Sequence, residues 1–226
     1  MDLNRIFSLV MPDPEVCRRA AEALRLENPD ATAEQAAERA VKQSRKWAAS
    51  VGATTGVAAS PLTMFPAAIA DAAAMLRLEG QLAGTIAALL EPESLGNAEV
   101  FRRDVLRCVF PGAVSQALRR LGVRAAEQST KAAMQKLATR AGSKELTERA
   151  TRLLGVRLAE KAVASKAVPL VGAGIGAAWN WVEIQGVGRR AIDYHMGRDG
   201  EGKRAVKRIE QYLRGKLSAR KKGAEK

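Results

Sequence analysis

The side chains that could do chemistry are few. His195 is the single histidine among 226 residues, so a two-histidine metal site is excluded and a zinc set is disfavoured. Any Ser/His or Cys/His couple would have to recruit this residue, which stands in AIDYHMGRD at the end of a helix. There a histidine ordinarily meets the terminal carbonyls and the helix dipole instead. Asp71 and Glu183 are the unusual carboxylates, because each comes directly after a long uncharged run. A general acid/base pair drawn from Asp71, Glu183 and His195 is chemically conceivable, but their spacing alone does not bring them together. Cys17 and Cys108 are too isolated for a disulfide framework and form no Cys-x-x-Cys pair, which suits a reducing compartment.

No Gly-x-Ser-x-Gly elbow occurs. The run Gly172-Ala-Gly174-Ile-Gly176 lacks both the spacing of a dinucleotide fingerprint and the Gly-Lys-Ser/Thr of a phosphate loop, and no strand precedes it. The chain calls for neither cofactor nor metal. Its glycines are better read as packing positions. Gly52/Gly56, Gly80/Gly84 and Gly172/Gly176 repeat at four residues, which stacks each pair on one helix face and lets a second helix come close. Asn180 belongs to the same set of helix-packing positions.

The elements that would position these residues are helices. Ala dominates a composition that is 47% hydrophobic and only 4% aromatic, and strand-forming residues rarely alternate. The expected fold is all-α, a single helical domain with two Gly/Ala-rich apolar hairpins and a basic C-terminal helix. Residues 3–10 suit a short amphipathic helix. Asp13 reads as an N-cap with Pro14 at the first helical position, opening a helix to about Glu27. Thr32 and Gln35 have capping-box spacing. From Trp47 to Ala70 no residue is charged, and Pro61 and Pro66 divide that stretch into helix, turn and second helix, the latter reaching about Leu90. Residues 91–97 read as a loop, and 98–160 as basic amphipathic helices punctuated by Pro111-Gly112, Gly122 and Ala141-Gly142, with Ser143 as a cap. A second uncharged segment, 167–182, leads into a helix ending near His195, followed by a turn at 197–202. The resulting division is 1–29 for N-terminal helices, 30–196 for the main domain and 197–226 for a basic tail.

Net charge is +13, and residues 198–226 hold 11 Lys/Arg against 4 Asp/Glu, hence +7 of it. Lys203, Arg204, Lys207, Arg208, Arg214, Lys216, Arg220, Lys221 and Lys222 are the candidate contacts for an anionic surface. Nucleic acid is the lesser expectation, since the tail has few aromatics for base stacking and no recognition motif stands out. The N-terminus is a poor signal peptide. Neither uncharged segment suits a full transmembrane span, the first being broken by two prolines and the second too short. The chain is therefore expected in the cytoplasm, peripheral on the inner face of the membrane.

Two stretches carry a resemblance. SPLTMFPAAIADAAAMLRLEGQLAGTIAALL resembles the apolar hairpin of the EcsC family, and is similar in style to the DUF697 proteins. KAVPLVGAGIGAAWNWVEIQGVGRRAIDYH is similar to that family's hallmark at Val168, Pro169, Gly172, Ala173, Gly176 and Asn180, then Gly188 and Ala191. The likeness spans roughly residues 30–196 and leaves out the basic tail. It implies an α-helical bacterial protein working near membranes, in a family named for a protein encoded beside an ABC transporter. No enzymatic activity or catalytic set comes with it. The leading expectation is thus a non-enzymatic helical protein that associates peripherally with an anionic membrane surface or with a membrane protein complex. A soluble lipid- or small-molecule-binding module comes second, and a hydrolase using His195 with Asp71 or Glu183 third.

Overall fold

The computed structural model describes residues 11–55, 61–120 and 172–198, with positions 135–136, 139, 144–146, 148–150, 152–153 and 156. All regular structure among them is helical: the protein is all-α. In chain order these elements are α1 (Pro14–Glu27), α2 (Ala33–Thr55), α3 (Pro61–Leu90), a short 3-10 helix (Pro92–Gly96), α4 (Ala98–Val109), α5 (Pro111–Arg120) and α6 (Gly172–His195). The proposed helix over 3–10, Gly122, the Ala141-Gly142 break and Ser143 lie outside the described residues.

Local chemistry sets most of the helix starts. Asp13 accepts the Glu15 amide at 2.8 Å, with Pro14 at the first position where no N–H is required. Thr32 and Gln35 close a reciprocal box, the Thr32 amide donating to Gln35 Oε1 at 2.9 Å and the Gln35 amide to Thr32 Oγ1 at 3.2 Å. Asn97 caps α4 through the Glu99 and Val100 amides at 3.1 and 3.2 Å. The segment expected to be a plain loop at 91–97 contains the 3-10 helix. Pro61 opens α3 at its first position, whereas Pro66 is absorbed within the helix rather than ending it. The end of α6 is a Schellman turn, with Gly197 at φ +71°, its amide donating to Tyr194 O and the Arg198 amide donating to Asp193 O.

Three long helices form the centre of the bundle, and α2 and α6 share its most extensive contact. They run antiparallel: Glu38 pairs with Arg189 at 3.2 Å, Val41 packs against Gly188, and Asn180 Nδ2 donates to Ala48 O at 3.4 Å. A seam of buried small residues on α2 (Ala36, Ala37, Ala40, Ala48) permits this approach. On α6 it meets Ile184, Val187, Gly188 and Ala191. α3 lies beside both and points the same way as α6, because Glu91, just after α3, meets His195 at the end of α6. α1 and α4 pack on α3, and Met75, Ile86, Leu89, Leu106, Phe110 and Ile192 fill one continuous core.

Two glycines fix the closest approaches. A Cβ on Gly188 would stand 2.4 Å from Val41 Cγ2, and one on Gly84 would stand 2.6 Å from Cys17 Sγ and 3.0 Å from Phe101 Cζ. Gly188→Ala and Gly84→Ala are each expected to cost about 1–3 kcal/mol of stability through overpacking, even with the better helix propensity of Ala. Gly112→Ala, whose Cβ would meet Leu153 Cδ1 at an ordinary 3.4 Å, should be neutral or stabilising by up to about 1 kcal/mol. Urea unfolding of the three variants checks this, and equal stability for Gly188→Ala and the parent would contradict the close α2–α6 contact.

Candidate functional site

One end of the bundle gathers charged groups into a buried cluster. Asp104 on α4 is 1% exposed in its side chain. Its Oδ1 accepts from Tyr194 Oη at 2.7 Å and from Arg103 Nε at 2.7 Å. Burial raises the Asp104 pKa, opposed by the Arg103 charge and by the hydrogen bonds from Tyr194 and Arg103. Burial likewise raises the Tyr194 phenol, helped by the Asp104 charge, so the tyrosine stays a donor. The Arg107 guanidinium lies over the Tyr194 ring at 4.4 Å.

His195 joins the same end. Its imidazole is 1% exposed and its Nδ1 lies 2.9 Å from Glu91 Oε2. A carboxylate accepts, so Nδ1 carries the proton in this pair. The expected contact with its own terminal carbonyls is not the one formed, because the Schellman turn already serves Asp193 and Tyr194. A general base must present a nitrogen to substrate, but here Nε2 is buried. Cys17 is no better placed as a nucleophile. Its thiol contacts Gln81 O at 3.9 Å, and burial pushes its pKa up to about 12. Among the described residues no group of three His, Cys, Asp or Glu is placed to hold a metal ion.

The three residues weighed together for acid/base chemistry are not brought together. Glu183 lies on the same helix as His195, about 18 Å away along the axis at 1.5 Å per residue. Asp71 is the eleventh of the 30 residues of α3, far from the end of that helix which meets His195. The partners His195 does find, Glu91 and the Asp104 group, were invisible in the motifs. One signal was available for Asp104. It occupies the Phe101–Asp104–Val105–Cys108 stripe of α4, a carboxylate at a position where helical periodicity demands an apolar residue.

At the opposite end of the bundle the described lengths of α2, α3 and α6 carry no charge. Past Lys46 the remainder of α2 has no charged residue, and α6 has none before Glu183. These charge-free lengths, 47–55 and 172–182, run about 14 and 16 Å. Because α2 and α6 are antiparallel, both point to the same pole, as do the charge-free first turns of α3. Trp47, 69% exposed, and Trp181, 37% exposed, stand where charge ceases on the two helices. The Asn180–Ala48 bond sets them at one level, and Trp179 occupies that level by its position on α6. The chain has three tryptophans, and this level holds all of them. Arg45 lies across the Trp181 ring at 3.8 Å.

The remaining sequence positions divide between these regions. Gly80 and Gly84 are buried on α3, and Asn180 is buried between α6 and α2. Gly52 lies on α2, and Gly172 and Gly176 lie on α6, within the charge-free lengths. Gly56 and every basic residue from Lys203 to Lys222 lie outside the described residues.

The cluster makes stability depend on pH in a set direction. An acid whose native pKa is raised binds its proton more readily folded than unfolded, so its contribution is full at low pH and is lost as pH rises through the native pKa. The stability of the parent relative to Asp104→Asn should therefore increase as pH is lowered from 7 to below the ordinary carboxylate range, measured by urea unfolding at each pH. A difference that is flat with pH would contradict the raised pKa. Tyr194→Phe, which removes a donor from the buried carboxylate, should cost about 1.5–3 kcal/mol at pH 7.

In comparisons with known proteins, no family model, no curated protein and no solved structure matches this chain.

Proposed function

We propose that this protein is a non-enzymatic helical protein of EcsC-like type that associates peripherally with an anionic membrane surface. It docks through its charge-free pole, on the cytoplasmic side. One observation carries this reading: Trp47 on α2 and Trp181 on α6 stand exposed at one level, where charge stops on both helices. Indole rings favour the interface between water and lipid, with an apolar body and a polar N–H. The charge-free lengths beyond them, about 14–16 Å, suit one leaflet of a hydrocarbon core that is roughly 30 Å thick. Among the described residues no helix is long and apolar enough to cross a membrane, so shallow docking is the form that fits.

Charge adds the second attraction. The net +13 draws the protein toward anionic lipid, each Lys or Arg held near the surface contributing roughly 1 kcal/mol. The buried state of His195 and Asp104 favours assigning the polar end to stability rather than to catalysis.

Sedimentation with vesicles tests the proposal. Binding to phosphatidylcholine vesicles containing phosphatidylglycerol should exceed binding to phosphatidylcholine alone, and should weaken as salt shortens the screening length from about 10 Å at 0.1 M to about 3 Å at 1 M. Tryptophan emission should move to shorter wavelength on binding and be quenched by brominated acyl chains. Trp47→Ala should lower binding roughly tenfold, matching the loss of one interfacial aromatic. A protein that stays in the supernatant with every lipid composition refutes the reading.

A further inference from the structure

Arg45, like Arg107 over Tyr194, lies over an aromatic ring, but at the tryptophan level rather than at the polar end. Arg103, Arg149, Arg189 and Arg198 each pair with a carboxylate. Arg25 and Arg190 donate to the backbone carbonyls of Leu89 and Cys108, at the ends of α3 and α4. Arg45 pairs with no carboxylate among the described residues, although its guanidinium is held in place over the Trp181 ring at 3.8 Å. Its Nε is buried and has no acceptor.

Burial and the neighbouring Arg189 charge both disfavour the cation, and Glu38 is paired with Arg189. A guanidinium stacked by its face keeps the N–H groups of its edge for an acceptor, and the planar fork matches two oxygens of a phosphate. Its height matters as well. Arg45 lies on the charged side of the tryptophan level, where the headgroup phosphates stand once indoles occupy the interface.

We propose that Arg45, stacked on Trp181, is a binding contact for the phosphate of an anionic lipid headgroup. The inference rests on the membrane-docking reading and names the chemistry the docking surface recognises. It requires the geometry of the fork and the ring, not charge alone. A lysine in the same place keeps the charge but loses the bidentate match.

The test uses the full chain with two probes, inorganic phosphate and vesicles of phosphatidylcholine with or without phosphatidylglycerol. In nitrogen–proton spectra the Arg45 Nε–H resonance should move as inorganic phosphate is added. Arg45→Lys and Trp181→Leu should each reduce binding to phosphatidylglycerol vesicles by at least about fivefold, the effect of roughly 1 kcal/mol. Lys46→Arg, an exposed neighbour, should bind as the parent does. If Arg45→Lys keeps the parent's preference for phosphatidylglycerol, attraction is by charge alone and the contact is refuted while membrane docking stands. If the parent binds no vesicle yet phosphate moves the Arg45 signal, the lipid source is refuted and with it the docking reading. Circular dichroism confirms that Trp181→Leu is folded, and Arg45→Lys decides the matter if it is not.

Discussion

The close approach of α2 and α6 is the constraint on which the rest depends. Gly188 has no room for a Cβ against Val41, so the two helix backbones meet at a distance that only a small-residue seam allows. That contact fixes the register as well as the separation. A slip of one turn, about 5.4 Å, would separate Asn180 from Ala48, Glu38 from Arg189 and Arg45 from Trp181 together. The aromatic level is therefore a consequence of packing, because the indoles align only when the glycine lies opposite Val41. The two ends of the molecule inherit their characters from this single antiparallel pairing.

The polar end is where the buried charges are gathered, and Asp104 and His195 are each held there through one atom, Oδ1 and Nδ1, while Oδ2 and Nε2 are buried without a partner. Removing a carboxylate from water is costly unless hydrogen bonds and an opposite charge replace the lost hydration. Asp104 receives both from Arg103 and Tyr194, and Arg107 covers the tyrosine ring. Arginines also cross between helices to meet carbonyls at helix C-termini, Arg25 at Leu89 and Arg190 at Cys108, where the dipole is negative. Such contacts use charge to lock helix ends in place, which leaves the far ends to be apolar without weakening the bundle.

Much of the fold was legible because it is written locally. The Asp13 cap and the Thr32/Gln35 box each involve residues two or three apart, and a sequence displays such pairs directly. The ends of α1, α3 and α6 were legible for the same reason. Pro66 misled because a helix near its start tolerates a proline when packing holds the remainder, and packing is not a local property. The partners of His195 were illegible on the same ground: Glu91 lies 104 residues away, and Asp104 meets Tyr194 across 90. The uncharged segments were visible as composition. Their meeting at one pole was not, since it needs the direction of three helices and the register of two.

The position of the α6 stop bears on how the basic tail can act. Gly197 ends the helix at the polar end, sixteen residues past Trp181, so the chain leaves α6 about 24 Å from the tryptophan level. An extended chain covers that distance in about seven or eight residues at 3.3–3.6 Å each. By sequence separation, Lys203 and Arg204 stand six and seven residues past Gly197, and the basic residues from Lys207 onward stand ten or more past it. If the proposed docking holds, only tail residues separated from Gly197 by at least that length of chain can share a surface with the tryptophan level. Under the proposed docking, Arg45 is the cation fixed on α2, and Arg214 to Lys222 are separated from Gly197 by enough chain to supply others. Fixed cations can select headgroup geometry, while tethered ones respond mainly to surface charge density and salt, so the two contributions differ in kind as well as in place.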